Sequence, residues 1–363
     1  MKKILFAINK LGIGGAERLV VDQINALDRN EFEPYLLTLI PEPENSILSE
    51  VTLPSEQKLY IPVQGMLDIG SIFKIKKIIK DNNIDIVISN LFLANTIVRI
   101  ASILAGVRDI FSYEHSIYSD KRMWQRVADK MLARFTKKIF VGAKDVKHFT
   151  VKQEGIREDK FVINYNAADF KRLNISKEKN RDTREKFGVP QDAILIVATG
   201  RLIEQKGHTY LIKALQKINQ DDVYCLIFGQ GVLKERLESQ IQESGLGERV
   251  KLAGIVPMDE ILSSADIFCM PSLWEGLSVA LVQAMAAGKA IVATNVSGTN
   301  EAIVDNENGL LVEPKNSSVL VGALQKLISD AELRERLGSN ARSLSVRFSI
   351  EENVSRLVKE LNN

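Results

Sequence analysis

Glu275 and Gln283 bracket the run Trp274-Glu275-Gly276-Leu277-Ser278-Val279-Ala280-Leu281-Val282-Gln283-Ala284-Met285, which directly follows an apolar, strand-like stretch. The run reads as a loop turning into a helix. A carboxylate just ahead of a helix N-terminus, with small residues leaving backbone N–H groups open, can hold sugar hydroxyls beside a phosphate. That pairing points to chemistry on a sugar nucleotide.

A second set lies earlier in the chain. Gly200-Arg201-Leu202-Ile203-Glu204-Gln205-Lys206-Gly207 follows the apolar run Ile194 to Thr199 and precedes a helical pattern. Arginine supplies a planar fork for phosphate oxygens and lysine a mobile point charge, so Arg201 and Lys206 could neutralise a diphosphate leaving group; solvated surface charge is the other reading. Phe228-Gly229-Gln230-Gly231 repeats the strand-to-glycine pattern one strand later. At Gly254-Ile255-Val256-Pro257 a flat base could lie against the loop, or the chain simply links strand to helix. Gly12-Ile13-Gly14-Gly15-Ala16-Glu17, after the first strand, would let the backbone approach an anion or merely make a tight turn. Its spacing is not the Gly-x-Gly-x-x-Gly of dinucleotide folds, and the second strand ends Leu39-Ile40-Pro41 without an acid. His115, in Ser112-Tyr113-Glu114-His115-Ser116, also follows a strand; it faces a ligand or is a partly buried imidazole bonded to backbone. His115, His148 and His208 are too dispersed for a zinc site.

Placing such residues at strand ends requires alternating strands and helices. The first half offers strands at Ile4 to Ile8, Tyr35 to Ile40, Ile84 to Ser89, Asp109 to Tyr113 and Lys138 to Val141, with helices at Ala16 to Leu27, Ser71 to Asn82, Leu93 to Ala105 and Lys121 to Phe135. A second set follows: strands at Ile194 to Thr199, Val223 to Phe228, Val250 to Ala253, Ile267 to Met270, Ala290 to Ala293 and Gly309 to Val312, each leading into a helix. The charged stretch Asn174 to Asp192 reads as a surface helix and connector, with the domain boundary near Asp169. Two doubly wound α/β domains are expected, residues 1–168 and 169–345. The terminal helix, 346–363, either ends the second domain or packs back on the first. In open parallel sheets ligands bind outside the carboxyl ends of the strands, so two facing domains would line one cleft.

Composition agrees with two soluble cores. The 363 residues exceed the size at which a single core stops growing, and 45% hydrophobic with 26% charged residues excludes a disordered or fibrous chain. A formal net charge of +2 is too small to make nucleic acid the main partner. Lys2 and Lys3 before Ile4-Leu5-Phe6-Ala7-Ile8 imitate a signal peptide, but Asn9 and Lys10 cut the run short, which makes it a buried strand and the chain cytoplasmic. Cys225 and Cys269 sit in apolar runs and read as buried hydrophobes.

Taken in order, Gly14-Gly15-Ala16-Glu17, Gly200-Arg201 with Lys206-Gly207, Gly229-x-Gly231, Pro271-Ser272 with Glu275-Gly276, Gly288 and Asn308-Gly309-Leu310 resemble a retaining glycosyltransferase of the family 4 type, over nearly the whole chain. The resemblance implies the GT-B fold: two Rossmann-like domains, the first on the acceptor side and the second binding a nucleoside diphosphate sugar, UDP-linked by preference. It assigns the donor diphosphate to Arg201 and Lys206, the phosphate and sugar to backbone near Gly276, Leu277 and Ser278, and the donor sugar to Glu275. Gly14, Gly15, Gly229 and Ile255 join the donor-binding set, and His115 stands near the donor sugar. Where that family has a second Glu for the ribose hydroxyls, this chain has Gln283, an amide that loses the charge-assisted bond. The sequence has no Asp-x-Asp triplet, so no metal and no other cofactor is expected. The resemblance further implies a glycan or lipid-linked glycan acceptor, in cell-surface polysaccharide or glycolipid assembly. A UDP-sugar 2-epimerase on the same fold and a non-catalytic nucleotide-sugar-binding protein are the alternatives.

The segment 121–138 stands apart. Trp124, Val127, Ala128, Met131, Leu132 and Phe135 recur at helical spacing among Arg122, Arg126, Lys130, Arg134, Lys137 and Lys138. It reads either as a crossover helix with its apolar face on the sheet or as a contact to anionic lipid.

Overall fold

Strands buried on both faces must be apolar throughout, which is why the central runs of this chain are unbroken rather than alternating. In the computed structural model, which describes all residues except Leu67 and 116–120, the strands are β1 (Lys2–Ile8), β2 (Phe32–Thr38), β3 (Lys58–Tyr60), β4 (Ile86–Asn90), β5 (Asp109–Glu114), β6 (Lys138–Val141), β7 (Phe161–Ile163), β8 (Ile194–Thr199), β9 (Val223–Phe228), β10 (Val250–Gly254), β11 (Ile267–Met270), β12 (Ala290–Thr294) and β13 (Leu310–Val312). The helices are α1 (Gly15–Ala26), α2 (Ile69–Asp81), α3 (Phe92–Ala105), α4 (Met123–Leu132), α5 (Lys144–Glu154), α6 (Lys177–Phe187), α7 (His208–Leu215), α8 (Lys234–Glu243), α9 (Met258–Ser264), α10 (Val279–Ala286), α11 (Thr299–Ala302), α12 (Ser317–Ser329), α13 (Ala331–Ser345) and α14 (Ile350–Asn362). Ser116 of the histidine motif and Asp120, just ahead of the basic segment, lie outside the described residues.

The chain divides into two compact units, Met1–Ala168 with Phe348–Asn363, and Asp169–Arg347. Each is a parallel sheet, ordered β3-β2-β1-β4-β5-β6-β7 in the first and β10-β9-β8-β11-β12-β13 in the second. In both, strand order reverses beside the unit's first strand, between β1 and β4 and between β8 and β11. Chains leaving the two strands of such a switch point go to opposite faces and open a crevice at their carboxyl ends. In the first unit α1 packs into the core on one face and α3 into the core on the other.

Several elements differ from the sequence expectation for identifiable reasons. β2 begins at Phe32 rather than Tyr35, with Pro34 inside it opposite Ile4. Proline is tolerated because β3 pairs only with Leu36 to Thr38, leaving the strand's outer edge open at residue 34. β3 and β7 are three-residue edge strands, too short to show a period. The helix expected over Lys121 to Phe135 spans only Met123–Leu132, and α5, which had no strong apolar stripe, was not anticipated. Among the described residues no helix is long and apolar enough to cross a membrane.

The terminal helix returns to the first unit. Ile350 N donates to Ala168 O at 3.0 Å, and Ile350, Val354, Leu357 and Leu361, spaced for one helical face, enter the core beside Leu19, Val20 and Ile24 of α1. Asn353 fixes the contact: its Oδ1 accepts from Gln23 Nε2 at 2.8 Å in buried surroundings and its Nδ2 donates to the part-buried Tyr165 O at 2.7 Å. Asn353→Ala leaves the Gln23 amide without this partner away from water and removes the bond to Tyr165. The expected loss is about 2–4 kcal/mol in urea unfolding, given roughly 1–3 kcal/mol per orphaned buried group. Lys359→Ala, on the exposed side of the same helix, should stay within about 0.5 kcal/mol.

Candidate functional site

In the second unit the loops after β8, β9, β10 and β11 meet at the sheet's carboxyl edge. Gly200 N donates to Phe228 O at 2.9 Å and Gly229 N to Gly254 O at 2.7 Å, so each loop leans on the next. Gly229 has φ +144°, and a Cβ there would lie 1.9 Å from Gly200 O. The glycine is needed for this close approach of two backbones. Gly207, at φ +64°, has the same constraint: a Cβ would sit 2.0 Å from Pro271 O, binding the start of α7 to the loop after β11.

That junction carries the charged pair. Lys206 Nζ bonds Glu275 Oε2, with only 14% and 13% of the two side chains exposed. Gln205 Nε2 donates to Trp274 O at 3.1 Å, Leu273 N donates to Gln205 O at 2.7 Å, and Ser272 Oγ lies 3.4 Å from Glu275 Oε2. With Gln205 Nε2 also 3.5 Å from Glu275 Oε1, the carboxylate has three polar neighbours. Beyond it the loop is anchored by buried Leu277, and Gly276 lies under Gly298, where a Cβ would come within 2.2 Å of its carbonyl. Ser278 precedes α10 without its hydroxyl capping the helix, so no side chain there occupies the first-turn N–H groups.

The other second-unit residues behave differently. Arg201 is exposed and makes no ion pair among the described residues, and Ile255 is exposed just after Gly254. Gln283 is half-buried on α10 and is not hydrogen-bonded to Glu275. Gln205 was given no role from sequence, its only signal being adjacency to Lys206, and Ser272 entered only as part of the Pro271-Ser272 motif, without a role.

Gly14, Gly15 and His115 belong to the first unit. Gly14 stands at the N-cap of α1 with Glu17 folded over it, and Gly15 is the first helical residue. His115 is buried, with its ring stacked on Tyr113 at a centroid distance of 4.4 Å and its Nε2 2.9 Å from Asn90 Oδ1. Its described partner is therefore a side chain at the end of β4, not backbone. Burial lowers the imidazole pKa to about 4, against a small opposing effect of Asn166. Beside it lies a buried charge cluster that sequence reading missed. Lys121 Nζ contacts Glu154 at 2.5 Å, Asp129 at 3.0 Å and Glu114 at 3.7 Å, and Arg99 bonds the other oxygen of Asp129 at 2.6 Å. Burial drives the Glu114 carboxyl upward and Glu154 to about 7, while the three acids hold the Lys121 ammonium well above its usual range despite burial. Residues so far apart in sequence leave no local pattern to find.

Residues 13–172 match the sequence family described as Glycosyltransferase Family 4, and residues 179–344 match Glycosyl transferases group 1. Anabaena Alr3699/HepE, solved in complex with UDP, superimposes over 100% of both chains with a TM-score of 0.87 at 23% identity, a likeness of fold. This chain belongs to the GT-B glycosyltransferases. An uncharacterized glycosyltransferase of Methanocaldococcus jannaschii is 33% identical over 192 residues, about half of each protein (51% and 49%). Over 96% of both chains the sequence is 28% identical to the Campylobacter jejuni N-acetylgalactosamine-N,N'-diacetylbacillosaminyl-diphospho-undecaprenol 4-alpha-N-acetylgalactosaminyltransferase.

Each unit also buries a neutral histidine. His208 starts α7 and is 2% exposed; burial and then Lys206 lower its pKa to about 4, against the opposing effect of the Gly200 and Arg201 backbone. An unfolded histidine titrates near 6.5, so between that pH and 4 the unfolded chain binds more protons than the folded one. Stability is therefore full above pH 6.5 and falls as pH drops towards 4, by up to about 3 kcal/mol per histidine. In NMR, the His115 and His208 ring signals should stay those of neutral imidazole from pH 8 to 5.5. A midpoint between 6 and 7 for either ring would contradict its burial.

Proposed function

We propose that this glycosyltransferase moves a sugar, with retention of anomeric configuration and without a metal ion, from a nucleoside diphosphate sugar to a hydroxyl of a lipid-linked glycan. The observation that carries this reading is the Lys206–Glu275 pair at the switch point of the second sheet, next to an uncapped helix N-terminus and the unpaired Arg201.

In the reaction the bond between the anomeric carbon and the diphosphate oxygen breaks, the bond to the acceptor oxygen forms, and the acceptor's proton is released. Negative charge grows on the leaving diphosphate. Arg201, Lys206 and the N–H groups at the start of α10 stabilise that charge from positions fixed in advance, which is where electrostatic catalysis is most effective. Glu275 accepts hydrogen bonds from donor-sugar hydroxyls, Gln283 takes a ribose hydroxyl, and Ile255 lies along the base. In the first unit, Gly14, Gly15 and neutral His115 serve the sugar and acceptor.

UDP is favoured because HepE was solved with it, and the Campylobacter relative's name supplies the acceptor class, a diphospho-undecaprenol glycan, and an alpha linkage. An alpha product from an alpha-linked donor is retention. Metal independence is supported by two cations where a metal would otherwise bridge the phosphates, and by a sequence without Asp-x-Asp. A lipid-linked acceptor keeps the enzyme at a membrane, on the cytoplasmic side where nucleotide sugars are made.

A thermal-shift panel of UDP, GDP and ADP selects the donor, since a bound nucleotide stabilises the fold by mass action. With that donor, Arg201→Ala combined with Lys206→Met should lower kcat by roughly 10²–10³-fold or more. Glu275→Gln should lower kcat/KM by roughly 10- to 100-fold, the value of a hydrogen bond to a charged group. Activity should survive EDTA, and NMR of the product should show an unchanged anomeric configuration. Full turnover by the double variant would refute the assignment of the diphosphate site.

A further inference from the structure

α4 has three faces where an ordinary crossover helix has two. Towards the protein it presents Leu132 and Asp129, the latter held by Arg99 and Lys121. Away from it, Met123, Trp124, Val127 and Met131, with Phe135 just beyond the helix end, are between 50% and 74% exposed. The sequence expectation of an apolar face laid on the sheet is therefore reversed for most of its members: of those large residues only Leu132 is buried. The reason is spatial. The space against α3 and α5 is taken by the charge cluster, which needs Asp129 inward.

Helical spacing puts Met123, Trp124, Val127 and Met131 within one arc of about 100° and Arg122, Arg126 and Lys130 along its flank, with Arg134, just past the helix end, in line with that arc. Arg122, Lys130 and Arg134 are exposed, and α4's single acid, Asp129, is buried. The outer surface of this helix therefore carries cations and no anion. Lys137 and Lys138 do not contribute, since they are bonded to Asp109 and to the Asp159 carbonyl.

We propose that α4 is a membrane-docking helix, lying flat on an anionic lipid surface with Met123, Trp124, Val127, Met131 and Phe135 in the interface and Arg122, Lys130 and Arg134 among the headgroups. Contiguous apolar exposure on this scale marks an interaction surface, and an aromatic–aliphatic face with a purely basic flank matches anionic lipid in both hydrophobicity and charge. The inference gives the lipid-linked acceptor reading a physical surface but does not depend on the donor chemistry.

The test is co-sedimentation of the full chain, without substrates, with vesicles of phosphatidylcholine alone or mixed with phosphatidylglycerol. Binding should require phosphatidylglycerol and weaken with salt. Met123→Ser with Val127→Ser and Met131→Ser should lower it roughly tenfold or more, and Lys130→Gln with Arg134→Gln by a similar factor, on the order of a tenfold loss per two surface cations. Both variants should keep the wild-type circular dichroism and transfer to a short water-soluble acceptor. Absence of vesicle binding, equal binding to neutral vesicles, or binding unchanged in both variants would overturn the proposal. So would a dimer in sedimentation equilibrium that the apolar variant dissolves, since a second copy would then cover the face. None of these outcomes touches the diphosphate site, whose failure would appear in solution kinetics.

Discussion

A largely buried ammonium and carboxylate, Lys206 and Glu275, hold together the two loops to which the second unit's chemistry is assigned in the proposed function. Removing both charges from water is costly, and the attraction between them offsets that cost only when the geometry is good and the remaining lone pairs are satisfied. Ser272 and Gln205 meet that second condition. The glycines meet the first: Gly207 has no Cβ to strike Pro271 O, and Gly298 none to strike Gly276. The carboxylate is therefore oriented before any ligand arrives. Freedom is left to Arg201, whose guanidinium is exposed and unpaired among the described residues.

The first unit solves a different problem with the same currency. Five charges, Arg99, Glu114, Lys121, Asp129 and Glu154, are buried together where β5 ends and α4 and α5 meet. Burial above all, opposed by Lys121 and aided by the neighbouring Glu114 and Asp129, raises the Glu154 carboxyl to about 7. Such clusters are poor evidence of stability, since apolar packing would serve as well or better. What this one does is dictate which side of α4 turns inward. The hydrophobic side chains of that helix are outside because its aspartate is inside.

Legibility in the sequence followed the range of the interactions. The central strands could be read because burial on both faces makes them continuous apolar runs, and Arg201, Lys206 and Glu275 because each follows such a run within a few residues. The three-residue edge strands of the first sheet, β3 and β7, could not, since they are too short to show a period. α4 stayed between two readings for a more instructive reason: spacing identifies which residues share a face, but not whether that face is inside. The links Lys206–Glu275 and His115–Asn90 span 69 and 25 residues and exist only once the sheets have formed. His208 gave no sign of burial, because the space that encloses it is made by Gly200 and Arg201, a loop away.

Gln283 acquires a meaning from this arrangement that substitution rules alone do not supply. Glu275 is the only acid between Trp274 and Met285, and Lys206 already neutralises it. With Glu204 in the same loop as Arg201, the formal charge of the two loops is zero. A carboxylate at position 283 would make it negative. For a doubly charged diphosphate, one more negative charge on the order of 10 Å away costs roughly 3 kcal/mol at an effective dielectric near 20, comparable to what a charge-assisted bond to the ribose would contribute. The amide forgoes that bond and avoids that penalty. On the proposed donor assignment the nucleotide is held through its phosphates more than through its ribose, and its affinity is correspondingly more sensitive to salt.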